Sequence, residues 1–218
     1  MSQPLQIASR KKRADTILHI LDTFFPHPAI PLHHKNAYTL LIAVLLSAQC
    51  TDARVNQITP RLFKLADTPE KMVCLTPRQI EDVIRPCGLG PTKARAIWNL
   101  SQKLIQLYGS RVPNTFEELE KLPGVGHKTA SVVMAQAFHI PAFPVDTHIF
   151  RCARRWKLSC GTTPTAVEKD LKNIFPKDSW IRVHLQIIYF ARQFCPARGH
   201  KSEACPICSA LCRNGRER

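Results

Sequence analysis

The sequence is poor in most of what would place it in a membrane, outside the cell or in a β-fold. Its most apolar run, Ala37 to Ala48 (AYTLLIAVLLSA), is twelve residues long. A helix that crosses a bilayer needs about 20, so this run reads as a buried helix. The N-terminus, MSQPLQIASRKKR, lacks the apolar stretch and small-residue cleavage site of a secretory signal. Apolar–polar alternation is almost absent, which argues against sheet, and there is no internal repeat or low-complexity segment. Acidic residues are scarce: 16 Asp and Glu against 31 Lys and Arg give a net charge of 31 − 16 = +15 over 218 residues. That charge points to a polyanion, nucleic acid ahead of an anionic membrane surface. The reading is of a monomeric cytoplasmic protein without membrane association, nucleoid-associated if bacterial.

With 44% hydrophobic and 22% charged residues, the chain can bury a core. Prolines mark helix starts: in DTPEKM, LTPRQI and TTPTAV, Thr68, Thr76 and Thr163 read as N-caps with proline at the first helical position. Thr115 with Glu118 and Thr76 with Gln79 have the spacing of a capping box. Gly88, Gly109 and Gly161 sit where helices stop. The implied helices cover residues 10–25, 38–48, 52–65, 69–75, 77–86, 92–108, 115–121, 127–138, 147–157, 164–175 and 179–194. The fold class is all-α.

Nine cysteines without an export signal do not suggest a disulfide framework. Cys50, Cys74, Cys87, Cys152 and Cys160 are scattered and read mainly as packing residues. Cys195, Cys205, Cys208 and Cys212 fall in the last 24 residues as C-x9-C-x2-C-x3-C. Four thiolates so closely spaced suit a [4Fe–4S] cluster or a tetrahedral zinc ion.

The most informative stretch is LPGVGHKTA, Leu122 to Ala130. Gly124 and Gly126 allow a tight hairpin, and a helix starts directly after it. Free N–H groups and the positive end of the helix dipole form a site for one phosphate oxygen. An ordinary turn between helices would need only the glycines; the whole string is more specific. Asp146 lies eighteen residues beyond Lys128, in PVDTHIFR with His148 and Arg151. The G-V-G hairpin, the lysine two residues on, the apolar helix and V-D-T-H-x-x-R together resemble the helix-hairpin-helix, Gly/Pro-Asp superfamily of DNA glycosylases. Within it the endonuclease III-like proteins are most similar, through LLIAVLLSAQCTD at Leu40 to Asp52 and the cysteine cluster.

The resemblance implies a six-helix barrel over 30–140, a cluster domain formed by 1–29 and 141–218, and a DNA groove between the two. It implies base excision repair by a bifunctional glycosylase and AP lyase that removes oxidised pyrimidines from damaged duplex DNA. Lys128 would be the nucleophile and Asp146 its partner. Attack on the sugar requires a neutral amine, which a first-turn position and partial burial both favour. DNA contacts would come from Gln49, Leu89, Gly124, Val125, Gly126, His148 and Arg151, with Gln49 and Leu89 filling the gap left by a flipped base. Arg192, Arg198, His200 and Lys201 would meet phosphates around the cysteine loop. The cofactor implied is a [4Fe–4S] cluster on Cys195, Cys205, Cys208 and Cys212, with zinc or no metal as the alternatives. The chain departs from the family here: its first cysteine gap is longer and its last shorter. A monofunctional adenine glycosylase would place a small residue such as serine at position 128. A non-enzymatic DNA-binding module would need neither Lys128 nor Asp146.

Overall fold

The computed structural model describes the backbone of residues 3–213 and the side chains of residues 9–212. The described chain is all-helical, as its patterning implies: twelve α-helices, two short 3₁₀ turns and no strand. It divides into two compact units, Ile30–Ile140 and the pair of segments Met1–Ala29 and Pro141–Arg218.

The unit Ile30–Ile140 is built around α2 (Ala37–Leu46), the apolar run noted above, whose residues Tyr38 to Leu46 are all buried. A reciprocal capping box between Asn36 and Thr39 starts it. Around it lie α3 (Asp52–Leu65), α4 (Pro69–Val73), α5 (Pro77–Ile84), α6 (Gly90–Tyr108), α7 (Phe116–Glu120) and α8 (His127–Ala137). Most of the threonines behave as the sequence implies: Thr68 Oγ1 accepts from Lys71 N–H, and Thr76 forms a complete box with Gln79. The box expected of Thr115 and Glu118 is only half formed: Thr115 Oγ1 accepts from Glu118 N–H, but Glu118 Oε2 accepts from the Thr115 hydroxyl rather than from its N–H. Helix α8 packs on α2 and α7, and α6 on α4 and α5.

The other unit holds α1 (Gln3–Phe24), α9 (Thr147–Arg155), α10 (Pro164–Ile174), α11 (Trp180–Gln193) and α12 (Pro206–Arg213). Its core gathers Leu21, Phe143, Trp156, Phe190 and Ile207, each fully buried, with Cys195 and Cys205 among them. Gln186 Nε2 donates to Asp22 Oδ1 at 2.8 Å and to the Phe25 carbonyl at 2.9 Å, tying α11 to the end of α1.

The patterning differs from the structure in three places. Helix α1, expected from residue 10, already begins at Gln3. Gly161 does not stop α9; the helix ends at Arg155, and Lys157 takes the left-handed turn at φ 56°. Gly161 is needed instead for space, because a Cβ there would lie 3.0 Å from Ala166 Cβ and from Val167 N. Helix α12 is absent from the expected helices, because its cysteines read as a ligand series; Pro206 is its first residue.

Candidate active site and metal-binding loop

The hairpin between α7 and α8 is held from below. Leu119, Leu122 and Val125 are buried, and the turn is closed by Leu122 N–H to Leu119 O (3.0 Å) and Val125 N–H to Leu122 O (3.1 Å). Gly124 has φ +77°, and a Cβ there would stand 2.9 Å from Ala96 Cβ and 3.0 Å from Leu45 Cδ1. Both conformation and space demand glycine. Gly124→Ala is expected to destabilise the protein by about 1–3 kcal/mol, read as a lowered urea midpoint at unchanged slope.

Gly126 is the N-cap of α8, with extended backbone and no side chain closing over the helix start. A Cβ there would meet nothing within 4 Å, so the first turn stays open to an approaching phosphate. Beside it, His127 Nδ1 lies 2.7 Å from Glu120 Oε1, and its ring stacks on Phe116. Lys128, the next residue, is exposed. The partial burial expected of it is absent, because the residue occupies the outward face of the first turn, above Ala130 and Ser131, which carry the packing.

On the other unit, Asp146 is the N-cap of α9: its Oδ1 accepts from Ile149 N–H at 2.8 Å. The carboxylate is half-buried, and its second oxygen lies outside that bond. His148 follows one residue into the helix, with Nδ1 3.3 Å from Arg151 Nη2. Arg151, expected to contact phosphate, turns inward; its Nη2 donates to the Cys195 carbonyl at 3.1 Å.

Gln49 and Leu89 share an uncommon feature. Both are exposed, and both have left-handed backbone, at φ 56° and 52°. Leu89, 53% exposed, is not a core residue. Their loops are joined by Lys93, which sequence reasoning missed. Its Nζ is buried and donates to the carbonyls of Leu46 (2.9 Å), Ala48 (2.8 Å) and Cys87 (2.9 Å). These carbonyls lie just before Gln49 and just before Leu89. Burial pushes the amine below its ordinary value, with Cys50 and Cys87 opposing. Lys93→Met removes three charge-assisted bonds, and a loss of about 1.5–3 kcal/mol is expected, measurable by chemical denaturation.

In the C-terminal loop, the donor atoms of Cys195, His200, Cys205 and Cys208 lie within 4.8 Å of one another. Three of the four expected thiols are thus together. Cys212 is exposed, one helical turn beyond Cys208 on α12, and lies outside the group. His200, expected at the phosphate-facing surface, joins the thiols instead, whereas Arg198 and Lys201 are exposed. Hydrogen bonds from Cys152, Cys205 and Cys208, with Arg155 adding to them, hold Cys195 far below the usual thiol range. Cys205 and Cys208 are pushed up, chiefly by their bonds to Cys195. Thiols this close cannot all ionise unless a cation sits among them. Arg155, which in the sequence reads with Arg151, Arg154 and Lys157 as a basic face open to phosphate or solvent, instead meets the cysteine loop: its Nη1 donates to Cys195 Sγ (3.2 Å) and to the Pro196 carbonyl (2.9 Å). Only its place on the same face of α9 as Arg151 could have signalled it.

Residues 42–177 match the family described as HhH-GPD superfamily base excision DNA repair protein. The chain is 46% identical over 189 residues to "Endonuclease III" of Treponema pallidum (strain Nichols), covering 87% of this chain and 90% of that protein. It is 41% identical over 212 residues to "Endonuclease III" of Bacillus subtilis (strain 168), covering 95% and 94%. Among solved structures, it superposes with a TM-score of 0.89 at 41% identity on "Structure of a Trapped Endonuclease III-DNA Covalent Intermediate: Estranged-Adenine Complex", covering 95% of this chain and 97% of that one. A thermostable thymine-DNA glycosylase follows at 0.81 and 26% identity, covering 94% and 96%.

Proposed function

The chain belongs to the HhH-GPD superfamily of base excision DNA repair proteins, and from that membership we propose a bifunctional DNA glycosylase and AP lyase acting on oxidised pyrimidines in duplex DNA. The observation that carries the reading is Lys128: an exposed amine in the first turn of α8, beside an open helix N-terminus that suits a DNA phosphate. A binding module would need the open N-terminus alone.

Anchoring the backbone there presents the sugar to the amine. Because Lys128 is exposed in the protein alone, bound DNA has to supply the exclusion of water. Lys128 Nζ attacks C1′, the bond from C1′ to the base breaks, and the base leaves with the bonding electrons. The Asp146 carboxylate takes the amine proton and stabilises the positive charge that develops on the sugar. Protonated Asp146 then returns its proton to O4′ as the C1′–O4′ bond breaks and the sugar ring opens to the Schiff base, which acidifies the C2′ proton; removal of that proton expels the 3′ phosphate oxygen and cuts the strand. Gln49 and Leu89, held outward by the loops that Lys93 joins, enter the space the flipped nucleotide leaves. His148 stays close to the sugar through its position two residues after Asp146. Arg151 acts indirectly, by bracing the Cys195 carbonyl.

The cysteine loop is a group that fits a metal: three thiols and an imidazole converge, and a guanidinium helps keep one thiol ionised. By the family resemblance it holds a [4Fe–4S] cluster, whose part is to shape the basic loop bearing Arg198 and Lys201 against the DNA backbone.

The test is incubation with duplexes carrying one oxidised pyrimidine, one adenine opposite an oxidised guanine, or one abasic site. Base release and strand cleavage on the first, and cleavage on the third, are expected. Release of adenine without strand cleavage would instead make the enzyme monofunctional.

A further inference from the structure

We infer that the fourth ligand of the metal centre is His200 and that Cys212 is not a ligand; this rests on the reading of the loop as a metal centre. The family's pattern supplies four cysteines, and the chain has four in the right region, but the fold gathers a different set. Cys195 and Cys205 are fully buried and Cys208 nearly so, and the fourth donor atom within 4.8 Å of all three belongs to His200. A second observation is independent of that grouping. His200 Nε2 is buried and has no hydrogen-bond partner among the described residues. A buried imidazole nitrogen without a partner is unfavourable, and a metal ion removes that cost by accepting its lone pair.

The local chain explains how the histidine gets there. The gap between the first two cysteines is nine residues, and Gly199, at φ +66°, turns the backbone immediately before His200. A loop of that length can fold a side chain back among the thiols. The last gap is only three residues, and it falls inside α12, so Cys208 and Cys212 are fixed four positions apart on one short helix. Cys208 is buried and Cys212 exposed. Cys212 stands one turn further along α12, outside the donor group that the other three thiols form with His200. The long first gap and the short last one are thus two sides of one change: a ligand moved from the end of the motif into its first loop.

Three thiolates and one imidazole form a known tetrahedral set for zinc and can also hold iron. The ligand assignment is therefore tested separately from the identity of the metal. Iron, acid-labile sulfide and zinc are measured per chain in the purified full-length protein, with its visible spectrum and its X-ray absorption ligand count. Three sulfurs and one nitrogen from the protein are expected. Cys212→Ser should keep the metal at the wild-type level. His200→Ala should lose it several-fold, and His200→Cys should restore it with an altered spectrum. Metal loss in Cys212→Ser, full retention in His200→Ala, or four protein sulfurs in the wild type would each overturn the assignment. If His200→Ala proves insoluble, the wild-type ligand count and Cys212→Ser still decide it. Zinc in place of iron and sulfide would sink the cluster reading alone. A protein without metal would end both.

Discussion

Lys128→Ala is expected to give no covalent adduct when incubated with abasic duplex DNA and borohydride, and to lose strand cleavage by about 10³-fold or more. Folding and DNA binding should stay near wild type. Lys128 is exposed, and no hydrogen bond or ion pair of the described structure depends on it. Alanine is a good helix former in the first turn of α8. The loss therefore measures chemistry rather than stability. Affinity should fall at most several-fold, because the phosphate site proposed beside Gly126 would consist of main-chain N–H groups that the substitution leaves in place. A wild-type protein that binds the abasic duplex without forming an adduct would refute the lyase reading. An adduct that persists in Lys128→Ala would move the nucleophile to another amine. Lys93 is a poor substitute, since its three carbonyl bonds hold it inside the fold.

The features that were legible in the sequence are those whose physics is local. A threonine before a proline satisfies the first N–H groups of a helix whatever the rest of the chain does, so Thr68, Thr76 and Thr163 could be read directly. The same holds for the G-V-G hairpin, where a positive φ and close neighbours leave room only for glycine at 124. Less legible was anything that depends on distant parts of the chain. Lys93 looks like an ordinary cation on a helix, yet it joins the loop before Leu89, through the Cys87 carbonyl, to the one before Gln49, through carbonyls 45 and 47 positions away. Arg155 looks like one of a run of basic residues, but it reaches a sulfur 40 positions on. His200 was grouped with its charged neighbours because cysteine spacing dominates the reading of a ligand series. Burial of Lys128 was expected from the needs of its chemistry, and chemical need does not dictate packing in the protein alone.

Asp146→Asn is expected to keep the fold and lose the reaction. Asp146 has two roles that a simple deletion would confuse. Its Oδ1 caps α9 through Ile149 N–H, and on the proposed mechanism its charge accepts the lysine proton. Asparagine caps a helix about as well as aspartate, and its carbonyl oxygen can take the Ile149 bond at the same 2.8 Å. It can neither accept a proton at neutral pH nor carry the negative charge that stabilises the developing cation. A fall of about 10²–10⁴-fold in base release is expected, with the melting temperature close to wild type. Asp146→Ala should show the same catalytic loss and in addition about 1 kcal/mol less stability, from the missing cap. The pair separates the two roles. If Asp146→Asn stays active and Asp146→Ala loses only stability, the residue is a helix cap and nothing more, and the base that serves Lys128 must be sought elsewhere.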